Sequence, residues 1–268
     1  MRLQLSAEDQ AFREEMRRFF TTEVPAGIRD TVAEGRPLGR DQIVAAQRTL
    51  NAAGLAVPHW PVEWGGRDWT DLQRHLWLEE MHRACVPPPL GFNANMIGPV
   101  LVQFGSRGLQ QRFLPATANL DIWWSQGFSE PGSGSDLASL RTRAVRVDGG
   151  WSLSGQKVWT SMAERSDWAI CLARTDPDVP QHKGITYFLV DMSSPGIEVR
   201  PLREITGEAL FNEVFLDDVF VPDECVVGEP GDGWKLARTT LANERVAMAS
   251  ARLTKSVERA IELAGEQD

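Results

Sequence analysis

Two polar segments near the middle of the chain carry residue types that could hold a cofactor. The first, 126–136, reads Gln-Gly-Phe-Ser-Glu-Pro-Gly-Ser-Gly-Ser-Asp, an aromatic strand end followed by a loop of hydroxyls and glycines. Glycine lets backbone N–H groups approach a ligand closely, and successive N–H groups can form a nest for an anion. The second, 155–161, reads Gly-Gln-Lys-Val-Trp-Thr-Ser, and an indole beside short hydroxyl side chains suits a planar heteroaromatic cofactor. Taken singly, each segment is equally well explained as a polar turn, with Trp159 in the core.

The stretch between these segments predicts a β-hairpin. Residues 145–153 alternate apolar and polar side chains on both sides of Asp148-Gly149-Gly150, a strong turn signal. Neither polar segment is a phosphate-binding P-loop, because no Gly-Lys-Ser/Thr follows, and neither is a GxGxxG dinucleotide turn.

A third candidate is a carboxylate on the last predicted helix, residues 234–264. The helix carries residues that share one stripe: Trp234, Ala237, Leu241 and Met248. Glu244 falls on that stripe, and a carboxylate in an apolar row is either paired or kept for a purpose. Loss of water makes a carboxylate a stronger base at neutral pH. From the pattern alone, an ordinary ion pair with the adjacent Arg245 or another arginine is the favoured alternative.

Composition limits the classes of partner. The chain has 268 residues, with 28 basic and 37 acidic side chains and a net charge of −9, and it has no basic block. Nucleic acid is therefore not an expected partner. Cys85, Cys171 and Cys225 are far apart and the histidines are scattered, which predicts neither a disulfide framework nor a metal site. No apolar run approaches ~18 residues and no signal peptide is evident, so the sequence predicts a soluble, cytoplasmic protein without a membrane span.

The elements that must position these residues fall into three regions. Residues 1–118 predict helices, with Ser6 and Thr70 as helix caps and Pro25 ending the first helix. Residues 119–229 predict short strands separated by turn residues, which is typical of a β-sandwich or barrel. The predicted strands are 122–128, 142–147, 151–153, 168–173, 186–191, 197–200 and 212–220. Residues 230–268 predict one long helix, so the expected fold is α+β with domains 1–118, 119–229 and 230–268.

The paired motifs resemble the acyl-CoA dehydrogenase family of FAD-dependent flavoproteins. That family carries a Glu-Pro-Gly-x-Gly-Ser-Asp loop, here 130–136, and then an Asn/Ser-Gly-x-Lys segment leading into Trp-x-Ser/Thr, here 154–161. The resemblance continues through 205–207 and 211–219. It implies an N-terminal helical domain, a middle β domain and a C-terminal helical domain, of which only the first helix is recognisable.

The resemblance also implies roles for particular residues. The expected FAD-binding residues are Gln126, Phe128, Ser129, Gly134, Ser135, Trp159, Thr160 and Ser161. Trp159 would pack against the isoalloxazine, and Ser161 would hydrogen-bond near flavin N5. Ser135 and Arg245 would contact the acyl-CoA substrate. Glu244 would be the catalytic base, because some family members hold that base on the first C-terminal helix immediately before an arginine, as in Leu241-Ala242-Asn243-Glu244-Arg245.

The expected activity is oxidoreduction: α,β-dehydrogenation of an acyl-CoA thioester, or of an acyl-carrier-protein thioester, to the trans-2-enoyl product. An electron-transfer flavoprotein or a similar acceptor would take the electrons. Two alternatives stay open. One is a flavin monooxygenase or oxidase on the same scaffold, because fold does not fix chemistry. The other is a non-catalytic or partner-dependent subunit, because the family's later C-terminal helices, which contribute to FAD binding in a homo- or hetero-oligomer, are not recognisable here.

Overall fold

The computed structural model describes residues 4–249 and 252–265; the side chains of 247–256, 258 and 259 lie outside that description. Two compact units can be distinguished by their internal contacts. The first contains the described residues up to Gly91, residues 118–120 and the described residues from Arg245 onward. The second contains Phe92–Thr117 and Asp121–Glu244. The three-domain division expected from the sequence stays a prediction.

The first unit is helical, as predicted. Its helices are α1 (Ala7–Thr22), α2 (Ala26–Ala33), α3 (Arg40–Ala52), α4 (Asp71–Arg83) and, near the end of the chain, α8 (Arg252–Gly265). Ser6 caps α1 by accepting the Asp9 N–H at 3.1 Å, and Thr70 caps α4 in a capping box with Gln73. Both predicted caps are therefore confirmed.

A buried carboxylate joins α1 to α4. Glu80 is 1% exposed and accepts from the Arg13 Nε at 2.6 Å and the Arg17 Nε at 2.9 Å. Burial by itself would raise the pKa of Glu80, but the Arg17 and Arg13 guanidinium groups bring it below its usual value. The ion pairs thus compensate for removing this charge from water.

Two prolines lie at the start of a helix or inside one instead of only ending it. Pro25 precedes α2, a helix that the sequence pattern did not reveal, and α1 ends before it at Thr22. A proline is tolerated at a helix start because the first N–H groups have no partner there. Helix α6 (Arg107–Ala118) continues through Pro115 instead of ending before it. The buried side chains of Leu109 and Phe113 on this helix favour continuation despite the lost hydrogen bond.

The second unit is built on one mixed sheet of eight strands. They are β1 (Trp124–Gly127), β2 (Arg143–Val147), β3 (Gly150–Ser161), β4 (Trp168–Arg174), β5 (Ile185–Asp191), β6 (Ile197–Leu202), β7 (Phe211–Pro222) and β8 (Val226–Val227). The order is β6-β7-β3-β2-β4-β5-β8, and β1 also pairs with β4 in parallel. Strand β1 also lies close to β3, and β5 close to β7, without pairing, so the sheet curves back on itself, and the predicted order of a helical domain followed by a β domain is confirmed.

Each predicted strand is present, but two differences matter for the site. Strand β3 continues through the whole second polar segment to Ser161, where the sequence had suggested a turn after Leu153. Strand β8 was not predicted, since two residues carry no periodic signal. The predicted hairpin is confirmed: Val147 pairs with Gly150, and Gly149 has a positive φ of 72°.

Along the chain, helices precede and follow the strands of the sheet. The segment Phe92–Ile97 is a π-helix that leads into α5 (Gly98–Phe104) and then α6. Helix α7 (Gly233–Ala249) follows the last strand, and its buried residues Leu236, Ala237 and Thr240 mark its inner face. The expectation of one unbroken helix from 234 to 264 depends on residues 250–251, which lie outside the described residues. No helix in the described part of the chain is long and apolar enough to cross a membrane.

Candidate functional site

The two polar segments of the sequence are hydrogen-bonded to each other. The Val158 N–H in β3 donates to the Ser129 carbonyl at 2.9 Å. The Lys157 ammonium donates to the Phe128 carbonyl at 3.3 Å. The loop that follows β1 therefore lies along the outer half of β3, and the hairpin brings together two stretches that are separate in the sequence.

A buried ion pair reinforces this junction. Lys157 Nζ lies 2.8 Å from Glu130 Oε1, with side chains 1% and 7% exposed. Burial by itself would raise the pKa of Glu130, but the adjacent Lys157 charge and the hydrogen bonds to the carboxylate hold the pKa below its usual value. Glu130 is therefore ionised at neutral pH and fixes the base of the loop.

The Glu130 carboxylate also fixes the far end of the loop. It accepts the Arg141 N–H at 2.6 Å and the Thr142 N–H at 2.9 Å. The Arg174 guanidinium donates to the Ala138 carbonyl at 2.7 Å and to the Leu140 carbonyl at 3.0 Å. A loop tied at both ends presents its intervening residues in one arrangement.

Gly155 is required where β3 passes the end of this loop. A Cβ at position 155 would lie 2.5 Å from Thr142 Oγ1 and 2.7 Å from its Cα. Such distances are too short for any side chain to be accommodated without a shift of the backbone. Gly155 thus permits the close approach of Thr142, whose N–H reaches Glu130.

Trp159 is displayed outward at a bulge in β3. The β3–β7 register shifts between Lys157 and Thr160, and Trp159 has a positive φ of 60°. A bulge re-aims a side chain, and a non-glycine residue in the left-handed region carries backbone strain. The indole is 61% exposed and packs edge-to-face on Phe211 at 5.8 Å. The alternative expectation, that Trp159 is a core residue, is wrong.

Three buried side-chain oxygen atoms on β1, β3 and β7 have no hydrogen-bond partner among the described residues: Gln126 Oε1, Thr160 Oγ1 and Asn212 Oδ1. Thr160 is 1% exposed, and its carbonyl accepts from the Asn212 side chain at 3.1 Å. Ser161, half-buried, pairs with Phe211 at the end of β3. A buried acceptor without a donor is costly, so each such atom calls for an explanation.

The remaining loop residues differ in exposure. Gly134 and Ser135 are exposed, and a Cβ at Gly134 would meet nothing within 4 Å. Phe128 is 3% exposed, and its ring packs edge-to-face on Tyr187 at 6.0 Å. The Phe128 ring therefore lies in the interior of the unit, and the Phe128 backbone carbonyl accepts the hydrogen bond from Lys157.

Glu244 lies on α7, half-buried, one turn after the buried Thr240. Among the described residues, no hydrogen bond or ion pair of its carboxylate is found. Arg245 is exposed, and consecutive residues of a helix do not face each other, which argues against their pairing. Glu244 is thus a half-buried acid of α7 whose carboxylate is not engaged by any side chain that the structure describes.

Sequence reasoning assigned no role to several residues that hold the site together, chiefly Glu130, Lys157, Thr142, Arg174 and Asn212. One signal was available for Lys157. Lys157 stands in one of the two motifs and Glu130 in the other, and a lysine that is buried needs an anionic partner. The partners of Arg174 and Asn212 are backbone carbonyls distant in sequence, for which the sequence offers no signal.

Comparison with known proteins decides the family. Residues 6–121 match the family model of the acyl-CoA dehydrogenase N-terminal domain, and residues 125–219 match that of the middle domain. The chain belongs to the acyl-CoA dehydrogenase family. Members of this family are FAD-dependent, and the resemblance drawn from the two motifs is confirmed.

Similar proteins include curated and solved acyl-CoA dehydrogenases. Acyl-CoA dehydrogenase FadE34 of Mycobacterium tuberculosis is 56% identical over 223 residues, which are 83% of this chain and 31% of FadE34. The solved Tcur3481-Tcur3483 steroid ACAD is 32% identical with a TM-score of 0.84, covering 99% of this chain and 69% of that chain. The ChsE4-ChsE5 complex from Mycobacterium tuberculosis is 31% identical with a TM-score of 0.75, covering 91% and 61%. This acyl-CoA dehydrogenase homologue thus spans about a third of the FadE34 sequence.

Proposed function

We propose that this chain binds FAD and takes part in the α,β-dehydrogenation of an acyl-CoA thioester. Family membership supports an oxidoreductase of this general type. The observation that carries the proposal is the hydrogen bond from Val158 to the Ser129 carbonyl at 2.9 Å. It sets the exposed indole of Trp159 next to the loop of hydroxyls and glycines, which is the juxtaposition that a flavin site needs.

The residues present fit a flavin. A tricyclic ring needs a flat apolar partner, and Trp159 offers an exposed face held outward by its backbone. The flavin ring also carries hydrogen-bond donors. Gln126 Oε1 and Thr160 Oγ1 are buried acceptors without a partner among the described residues. Ser129 and Ser161, both half-buried, border the same region of β3. We therefore propose Gln126, Phe128 through its backbone, Ser129, Trp159, Thr160 and Ser161 as the flavin-binding set.

The exposed part of the loop is proposed to face the nucleotide and the substrate. Gly134 has free space around its Cα, so its backbone N–H can approach an anionic group closely. The exposed Ser135 hydroxyl is proposed to contact the acyl-CoA. Arg245 stays a prediction for the substrate thioester on the family resemblance.

Glu244 is proposed as the base that takes the proton from Cα of the acyl group. Abstraction of a weakly acidic C–H proton needs a carboxylate that is partly desolvated and not tied into an ion pair. FAD, when bound, supplies the acceptor for the hydride that leaves Cβ. The loss of H⁺ from Cα and H⁻ from Cβ leaves the carbon–carbon double bond of the enoyl product.

The Glu244→Gln variant tests this assignment. Glutamine keeps the shape but cannot accept the proton, so anaerobic acyl-CoA should no longer bleach the flavin absorbance, while the visible spectrum of bound FAD stays unchanged. Glu229→Gln, an exposed glutamate before α7, is the matched control and should react as the wild type does. Flavin reduction at the wild-type rate in Glu244→Gln would remove Glu244 from the mechanism.

We also propose that the chain works in a hetero-oligomer and that its substrate has a bulky acyl group. Support for the assembly comes from the Tcur3481-Tcur3483 steroid ACAD and the ChsE4-ChsE5 complex, each named for two proteins. Support for a bulky acyl group comes from the first of these names, which specifies a steroid enzyme. Native mass spectrometry of the chain alone, and of the chain co-expressed with a second acyl-CoA dehydrogenase subunit, tests the assembly. A yellow homo-oligomer from this chain alone would overturn it. Reduction by straight-chain but not by steroid acyl-CoA would overturn the substrate proposal.

A further inference from the structure

The hydroxyl of Tyr187 connects the sheet to α7 one helical turn before Glu244. Tyr187 on β5 and Thr240 on α7 are both 0% exposed, and their hydroxyl oxygens lie 3.2 Å apart. The Thr240 hydroxyl donates its one proton to the Leu236 carbonyl at 3.0 Å. Tyr187 is therefore the donor of the bond between the two hydroxyls.

The hydrogen bond between Tyr187 and Thr240 lies beside apolar residues of α7, so it can hold the helix at one point. The inner face of α7 near it is apolar, formed by Leu236 and Ala237. Apolar contacts are non-directional and tolerate a small rotation or sliding of a helix, whereas a buried hydrogen bond does not. Burial raises the pKa of Tyr187 far above its usual value, so the phenol stays a proton donor at any physiological pH.

A second contact fixes the start of the helix. The Gly231 N–H donates to Thr186 Oγ1 at 2.9 Å. A Cβ at Gly233 would lie 2.7 Å from the Ile185 carbonyl oxygen, so the first turn of α7 sits directly on β5. With its start held there, the remaining freedom of the helix is rotation about its axis and bending, and Tyr187 restrains both at Thr240.

Thr240 and Glu244 are separated by four residues and share one face of the helix. Any rotation of the helix at Thr240 therefore moves the Glu244 carboxylate by a similar angle. The Tyr187 ring also packs on Phe128, in the loop after β1, at 6.0 Å. One side chain thus contacts both the flavin loop and the helix that carries the proposed base.

We infer that Tyr187 is a positioning residue for the reaction: through its hydrogen bond to Thr240 it sets the place of Glu244 relative to the flavin loop. This inference rests on the proposed function, since it concerns the position of the Glu244 carboxylate, the proposed base. It adds that Tyr187 and Thr240 act as one unit and govern the rate of proton removal, while substrate affinity and FAD binding do not depend on them.

The test compares Tyr187→Phe, Thr240→Val and the double variant in the FAD-loaded protein. Because a misplacement of about 1 Å can cost about 100-fold in rate, each single variant should lower the rate constant of anaerobic flavin reduction about 10- to 100-fold. The acyl-CoA dissociation constant and the flavin spectrum should not change. The double variant should be no slower than either single one, and Thr240→Ser, which keeps the hydroxyl, should restore the rate.

The matched control is Thr239→Val on the same helix. Thr239 also donates to a carbonyl one turn back, Lys235 at 3.3 Å, so its loss reproduces the effect of losing such a bond within α7. It should reduce flavin at the wild-type rate. Equal loss in Thr239→Val and Thr240→Val would overturn the inference, since a general weakening of the helix would then explain both.

Two readouts do not depend on flavin reduction. Exchange of the Cα protons of a 3-thiaacyl-CoA, whose sulfur prevents hydride loss from the β position, follows proton removal directly by NMR in D₂O. It should slow in Tyr187→Phe. Tyr187 is also the single tyrosine of the chain, so ¹³C-tyrosine labelling gives one resonance, which should shift in Thr240→Val and not in Thr239→Val.

The outcomes separate this inference from the proposed function. If Glu244→Gln is inactive while Tyr187→Phe and Thr240→Val react at the wild-type rate, the positioning role of Tyr187 is wrong. The assignment of Glu244 as the base is then retained. If Glu244→Gln is active, the base assignment itself is wrong. Should Tyr187→Phe fail to fold, Thr240→Val and Thr240→Ser decide by the same criteria.

Discussion

Lys157 Nζ lies 2.8 Å from Glu130 Oε1, with the two side chains 1% and 7% exposed. Each residue belongs to one of the two polar segments, so a single buried ion pair holds the halves of the proposed flavin site together. The pair is not an isolated contact, because Glu130 also accepts two backbone N–H groups from the end of the loop, at Arg141 and Thr142. Changes at this pair should therefore affect both stability and the loop.

Replacing Lys157 by methionine should destabilise the protein strongly. The variant keeps the length of the side chain but leaves the Glu130 carboxylate buried without its cation, which costs about 3–5 kcal/mol when one partner of a buried pair is removed. The free energy of unfolding, measured with urea at pH 7, provides the test. Lys183→Met, at an exposed lysine, should change it by less than about 0.5 kcal/mol. A similar loss in both variants would mean that the buried pair has no special role.

Acidification should reduce the difference between the wild type and Lys157→Met. In the wild type the pKa of Glu130 lies below its usual value, so the stabilisation is complete above about pH 4.3 and is lost as the pH falls through the folded-state pKa. Without the Lys157 charge the pKa of Glu130 rises from this lowered value, because burial is then opposed only by the hydrogen bonds from Arg141 and Thr142. Protonation therefore relieves the variant at a higher pH than the wild type. Urea unfolding at pH 7, 5.5 and 4 measures this. A difference that stays constant over that range would contradict the assignment.

Alanine at Gly155 should reduce stability, whereas alanine at Gly134 should reduce FAD binding. At Gly155 the new Cβ would lie 2.5 Å from Thr142 Oγ1, so the strand or the loop must shift at a cost of about 1–3 kcal/mol. At Gly134 nothing lies within 4 Å, so stability should change by less than about 0.5 kcal/mol. FAD titration should nevertheless show weaker binding in Gly134→Ala, because the added methyl group keeps a ligand from the backbone. Unchanged FAD affinity would place the cofactor away from Gly134.

Trp159→Gly and Trp159→Ala should separate the indole from its backbone. Both variants remove the face proposed to pack on the flavin, so FAD affinity should fall to the same extent in both. Glycine adopts the positive φ of 60° without strain, so Trp159→Gly should be more stable than Trp159→Ala by about 1 kcal/mol. Thermal unfolding and FAD titration measure the two quantities. Wild-type FAD affinity in both variants would exclude Trp159 from the site.

The sequence revealed those parts of the fold that depend on local signals. The helix caps at Ser6 and Thr70, the hairpin at Asp148-Gly149 and the alternating strands of the sheet follow from side-chain chemistry and periodicity within a few residues. Helix α2 was missed because Pro25, expected to end the preceding helix, begins a new one. The full length of β3 was missed because its outer half is polar and is stabilised by pairing with β7, which lies about fifty residues later.

For the site, the motifs located the two segments but not the contacts that join them. Trp159 could be recognised as a candidate from its type and neighbours. Its outward aim depends on a bulge against β7, and its positive φ has no signature in the sequence, since tryptophan rarely adopts that conformation.

The sequence by itself determined which residues could do chemistry and the family to which the chain belongs. Only the tertiary structure decided that Lys157 neutralises Glu130, that Gly155 makes room for Thr142 and that Tyr187 reaches Thr240 across the interface of sheet and helix. The physical reason is the distance along the chain. Periodicity and caps act over one or two turns, whereas burial and hydrogen bonding depend on which distant segments the folded sheet brings into contact.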